Sequence, residues 1–189
     1  AASHGVEPIP KGSDWQYNGI FSDPVAWLEE GTVDYISPQI YWKMNHATNP
    51  FAPMTNWWSK VAKQFGRHHY ASHSISKLGT ASNNVESEWA DYVKQIGYSR
   101  TYSENAAPGA VLYSTAYVNG SKASGLGEYL HGQVFGYKAS TPAINWKAVF
   151  PQEKVFHLRV DGTQLLWDGV EDVRYAVYAI PEDKDVVMG

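Results

Sequence analysis

Trp15, Tyr41, Trp42 and Tyr117 carry flat apolar faces with polar tips, the shape that stacks on a sugar ring. Gln39, Ser72, His73 and Tyr113 add donors and acceptors of the kind that grip hydroxyl groups. Acid–base chemistry beside them would require carboxyl groups at the C-terminal ends of strands. Glu7, which follows the small-residue segment Ala1 to Val6, is the best placed acid and the candidate catalytic residue. Asp34 opens a strand rather than closing one, and Glu29, Glu30, Glu86, Glu88 and Asp91 fall on helical segments, where a solvated face is expected. His69 and His73 share strand parity, but four residues of strand separate them by roughly 13 Å, too far for one zinc ion with bonds of about 2.0 Å. No metal or cofactor is expected, and Gly125-Leu126-Gly127 is too degenerate to cradle a phosphate.

These residues need a scaffold, and the periodicity supplies one. Ala1 to Val6 reads as a first strand, followed by a loop from Ile9 to Phe21 rich in Pro, Gly, Ser, Asp and Asn. Asp23 and Pro24 read as the N-cap and first position of a helix with Val25, Trp27 and Leu28 inward, closed by Gly31. Asp34 to Trp42 follows as a parallel strand, with Pro38 at a bulge or exit because it lacks a backbone donor. Met54, Trp57, Trp58, Val61, Ala62 and Phe65 recur at helical spacing before Gly66. His68 to Ser76 alternates as a strand; Asn83 and Glu86 suggest a capping box, with Val85, Trp89, Tyr92, Val93 and Ile96 inward; Ala110 to Tyr113 is an apolar strand. Strands alternating with helices predict a parallel sheet.

Beyond Val118 the texture changes, with only Tyr129, Leu130 and Val134 hinting at a last helix. Strand patterns return at Lys154 to Val160, Gln164 to Trp167 and Val173 to Ile180, with Asp161-Gly162 as a tight turn between the first two. These pieces resemble the start of a fibronectin type III domain, in which Trp167 would pack on Tyr175 or Tyr178, though only about three of the seven strands of such a sandwich are present.

Composition narrows the function classes. The chain has 189 residues, 43% hydrophobic, with 15 basic against 19 acidic side chains and a net charge of -4. The scattered basic residues leave no footprint for nucleic acid. No run reaches the roughly 18 apolar residues of a membrane span. Cysteine is absent, which excludes disulfides and thiol chemistry without fixing a compartment. The opening Ala1-Ala2-Ser3-His4-Gly5 is not a signal sequence and reads as the interior of a domain.

Asp34-Tyr35-Ile36-Ser37-Pro38-Gln39-Ile40-Tyr41-Trp42 resembles the DYI-x-PQIYW signature of the glycosyl-hydrolase-like family 10. The Trp57-Trp58 pair, Tyr70 to His73 and Gly109 to Ser114 are similar to family features as well. The resemblance, over roughly residues 1 to 120, implies a bacterial TIM-barrel glycoside hydrolase, secreted, periplasmic or anchored at the cell surface as a lipoprotein. Its implied substrate is a bacterial glycan, such as peptidoglycan strands without stem peptides. The expected fold class is α/β: the C-terminal half of a (β/α)8 TIM barrel over residues 1–140, with a linker and a small fibronectin-like C-terminal β-segment over 141–189. An acidic strand motif found earlier in such barrels is missing, so the chain alone is expected to be inactive. Gln39, Tyr41, Trp42, His73, Tyr113 and Trp15 are the expected substrate-binding residues, with an oligosaccharide or polysaccharide as ligand. The alternative is a non-catalytic carbohydrate-binding protein with the same aromatic rim.

Four predicted strands of the eight in a closed barrel leave open edges and an apolar inner face formed by Ile36, Ile40, Ala71, Val111 and Tyr113. A homodimer of half-barrels, edge against edge, would cover it.

Overall fold

The computed structural model describes residues 15–75, 85–102, 109–119, 125–139, 141–147, 155–169, 175 and 177. Two compact units are present, Ala1–Ala139 and Ser140–Gly189. The first is α/β: strands β1 (Tyr35–Ile36), β2 (His68–Ser74) and β3 (Gly109–Tyr113) form a sheet in that order. Both pairings are parallel, as the alternation of elements predicts.

Helix α1 (Pro24–Glu29) starts as the sequence indicates: the Asp23 carboxylate accepts from the Ala26 amide at 3.2 Å, and Pro24 needs no donor in the first turn. Gly31 sits at φ +71 just past its end, a conformation that favours glycine. Val25 and Leu28 are buried against Trp57 and Val61 of helix α2 (Phe51–Gln64), with Ile36 of β1 packed on the same cluster. Trp27, expected beside them, is 44% exposed, because the six-residue helix presents only one narrow stripe to α2.

Pro38 ends β1 early. The strand proper is two residues long, yet its register survives the interruption, with Tyr35 opposite His68, Ile36 opposite His69 and Gln39 bridging to Ser72. Pro38 cannot donate, but its carbonyl accepts from the Ser72 amide at 3.1 Å, and the Ser37 hydroxyl donates to the Tyr70 carbonyl at 2.8 Å.

Alternation along β2 separates two faces. His69, Ala71 and His73 point to the helices and are fully buried, while Tyr70 and Ser72 point the other way. Ile40 and Ala71 pack with Phe51 on the helix side. Val111 and Tyr113, grouped with them in the sequence reading, lie opposite Ser72 and Ser74 and remain 39% and 59% exposed. Their neighbours Ala110 and Leu112 take the helix side, against Ile75, Ile96, Leu126 and Leu130. The expected inner face is therefore corrected: Ile36, Ile40 and Ala71 belong to the helix-covered layer, and Tyr35, Val111 and Tyr113 to the open one.

Helix α3 (Val85–Tyr102) runs further than its apolar stripe, and Gln95 and Ser99 are buried on it beside Ile96. Helix α4 (Thr115–Val118), a short turn after β3 that the sequence does not announce, precedes α5 (Leu126–Gln133). A π-helical turn, Trp15–Gly19, occupies part of the expected long loop. Residues 1–14, including the expected first strand and Glu7, lie outside the described residues, as does Asn83 of the expected capping box. No described helix is long and apolar enough to cross a membrane.

In the second unit, β4 (Phe156–Asp161) and β5 (Gln164–Asp168) form an antiparallel hairpin, with Asp161 opposite Gln164 and Gly162 at φ +59 in the turn. The Trp167 and Tyr175 rings meet at 5.6 Å. Of the expected third strand only residues 175 and 177 are described.

Among the described residues of the first unit, Gly127 marks the tightest backbone approach: a Cβ there would clash with the Val118 carbonyl oxygen. Because the obstacle is backbone, Gly127→Ala must displace α4 from α5, at a cost of about 1–3 kcal/mol. The urea midpoint of this variant is expected to fall; an unchanged midpoint would contradict the close packing.

Candidate functional site

The strand-to-helix connection after β1 folds over the first turns of α3, and between them lies a cavity of about 310 Å3. Tyr41, Trp42 and Lys43 line it from the connection, Ser74 from the end of β2, and Glu88, Asp91, Tyr92 and Gln95 from α3. In a parallel sheet the helix after a strand begins at that strand's C-terminal end, so the first turns of α3 stand where ligand sites of α/β folds form. The helical acids expected on a solvated face are thus corrected for Glu88 and Asp91, which line this cavity.

Hydrogen bonds hold the wall together. Asp91 Oδ2 accepts from the Met44 amide at 3.3 Å and from Gln95 Nε2 at 2.7 Å, and Gln95 Nε2 also donates to the Trp42 carbonyl at 3.2 Å. The Tyr92 hydroxyl donates to the Ser74 carbonyl at 2.6 Å. Burial, reinforced by the negative charges of Glu88 and Asp91, raises the Tyr92 pKa to about 12, so its proton stays in that bond. Lys43 reaches Glu88 at 3.4 Å in a solvent-screened pair.

The expected binding residues divide into four groups. Tyr41 and Trp42 line the cavity; Tyr41 also stacks on Tyr113 at 6.5 Å between ring centroids, with 28° between planes. Gln39 is exposed beside Ser72 on the open face, the face that also carries Tyr113. His73 is the correction: parity turns it toward the helices, where it is fully buried, stacked on Phe51 at 5.3 Å and bound through Nδ1 to Gln95 Oε1 at 2.8 Å. It reaches the cavity through Gln95 and through Tyr92, whose ring it meets edge-on at 6.4 Å. Trp15 lies in the π-helical turn, and Glu7 is outside the described residues. Gln95 is the residue that the sequence does not single out; its spacing of four from Asp91 on the helix that follows β2 is the available signal.

Residues 2–91 match the Glycosyl hydrolase-like 10 family. The match takes in just under half of the chain. The matched range contains β1, α2, β2 and the acids of α3's first turns, and it stops short of Gln95 and β3. The chain is 28% identical over 133 residues to "Glycosyl hydrolase YngK" of Bacillus subtilis, covering 69% of this chain and 25% of that protein. It is 28% identical over 120 residues to "Glycosyl hydrolase DigH" of Escherichia coli, covering 58% of this chain and 27% of that protein. The aligned part thus spans about a quarter of the length of these curated relatives. The family and the relatives' names point to a hydrolase related to glycoside hydrolases.

Two imidazoles buried against this sheet tie its stability to pH. Burial, with the charge of His73 adding to it, lowers the His69 pKa to about 3. Burial also lowers His73 to about 4, against a partial rise from Gln95 and Asp91. Since both folded values lie below the ordinary 6.5, the unfolded chain takes up protons first as pH falls. The stability that these two neutral imidazoles contribute is full above about pH 6.5 and drains away as pH falls toward about 4 for His73 and about 3 for His69, by about 2 kcal/mol per histidine at pH 5. Urea midpoints measured at pH 7.5 and pH 5.0 should differ accordingly, and equal midpoints would refute this assignment.

Proposed function

We propose that the chain is part of a secreted or cell-surface glycoside hydrolase, the C-terminal half of a TIM barrel, and that the cavity between the β1 connection and α3 takes a sugar ring of a bacterial glycan such as peptidoglycan. One observation carries this reading: two aromatic side chains, Tyr41 and Trp42, share a strand-end cavity with two carboxylates, Glu88 and Asp91. A pyranose has an apolar ring face and a rim of hydroxyls, which match an aromatic platform and carboxylate acceptors. The family match and the relatives' names support the same chemistry.

Hydrolysis needs carboxyl groups on both sides of the glycosidic bond. Glu88 and Asp91 lie on one helix and one wall, so this chain furnishes one side of such a site. We assign it sugar binding without turnover on its own, with Glu7 the remaining candidate for the acid. In the isolated chain the open face bearing Tyr35, Val111 and Tyr113 is proposed to be covered by a second copy, a point that sedimentation of the 21.1 kDa chain decides.

Titration of the chain with an N-acetylglucosamine tetrasaccharide, followed by calorimetry, is expected to show millimolar affinity, about -4 kcal/mol. Trp42→Ala should abolish the signal. Wild-type affinity in that variant would move the sugar site elsewhere, and turnover that disappears with Glu7→Gln would overturn the assignment of binding without hydrolysis.

A further inference from the structure

Gln95 is 3% exposed and its amide joins three segments of the chain. Nε2 donates to Asp91 Oδ2 at 2.7 Å and to the Trp42 carbonyl at 3.2 Å, and Oε1 lies 2.8 Å from His73 Nδ1. Chemistry decides which way this amide faces. A carboxylate and a carbonyl only accept, so the NH2 group must meet them, and the opposite oxygen then requires a donor. His73 is therefore the Nδ1–H tautomer, with Nε2 unprotonated and without a partner among the described residues.

The consequence reaches the cavity wall. The bonds from Met44 and Gln95 both fall on Asp91 Oδ2, which leaves Oδ1 for the cavity that Asp91 lines. Trp42, the aromatic platform, is held at its carbonyl by the same NH2 group. Asp91 and Gln95 stand four residues apart on one helix face, so their relation is rigid, whereas Trp42 lies in a connection with no strand or helix of its own. The strand β2 anchors the assembly from below through His73, itself clamped by Phe51.

We propose that Gln95 is the positioning residue of this cavity: it holds the Trp42 platform and the Asp91 carboxylate in one fixed relation, so that a pyranoside stacked on Trp42 finds an acceptor for its hydroxyl at Asp91 Oδ1. The proposal rests on the carbohydrate reading above for the identity of the ligand, and on the hydrogen bonds alone for the positioning.

Nitrogen-15 resonances of the full chain test it. Wild-type His73 should show a protonated Nδ1 and a bare Nε2. Gln95→Glu keeps an acceptor for His73 but loses both donated bonds, so the Trp42 indole resonance is expected to shift while the His73 tautomer persists; Gln95→Met should disturb both. If the Trp42 resonance in Gln95→Glu coincides with wild type, or if His73 Nδ1 carries no proton in the wild-type chain, the positioning role is overturned whether or not a saccharide binds. In titrations with the N-acetylglucosamine tetrasaccharide, Gln95→Glu and Asp91→Asn, the latter replacing the free acceptor by a donor, should each weaken binding at least tenfold. Affinities within twofold of wild type would overturn the proposal while leaving the carbohydrate reading intact. A wild-type chain that binds no saccharide would count against that reading, and the resonances would still decide the role of Gln95.

Discussion

Strand β2 is paired on both edges, and its register decides what every neighbouring element can touch. Because side chains alternate, the pairings of Ile36 with His69 and of His73 with Leu112 commit two imidazoles to the helix-covered side. A slip of one residue would turn them away from the helices and turn Tyr70, Ser72 and Ser74 toward them instead. The helices are arranged around that commitment. Phe51, at the start of α2, stacks on His73, and Gln95 of α3 meets its Nδ1. His69 receives no such partner among the described residues, and burial keeps it neutral.

Much of this frame was legible in the sequence. Asp23, Pro24 and Gly31 bound α1 because each supplies what a helix end lacks, an acceptor for the free amides, a residue with no amide to satisfy, and a backbone free to turn left-handed. The α2 stripe and the strands of the first unit declare themselves by period. What periodicity does not carry is the choice of face when both parities are apolar. In Ala110 to Tyr113 the pairs Ala110 with Leu112 and Val111 with Tyr113 are equally plausible inward sets, and only the register against β2 selects the first. The same ambiguity misplaced His73: its parity with His69 was readable, but the side to which that parity belonged was not.

The carboxylates of α3 were hidden for a different reason. An acid at the start of a helix looks like a solvated or dipole-stabilising residue in any one-dimensional reading. Its proximity to a site follows only from the parallel connection, which returns the chain to the bottom of the sheet through α3 and so leaves the helix's first turns beside the ends of the preceding strands. Glu88 and Asp91 thus meet Tyr41 and Trp42 across a separation of some fifty residues that no local pattern encodes.

An amide at position 95 suits this junction better than any charged side chain. Three partners surround it: a carboxylate and a carbonyl that accept, and an imidazole nitrogen that donates. A glutamate would satisfy His73 and confront Asp91 with a second negative charge, while a lysine would satisfy both acceptors and leave the His73 donor facing another donor. Glutamine alone among side chains of this length offers donors at one end and an acceptor at the other. It does so without bringing a charge into a place that is nearly closed to water. Neutrality at His73 and at position 95 then leaves Asp91 as the charge held within this network, a residue that lines the cavity and takes the bonds of Met44 and Gln95 on one oxygen.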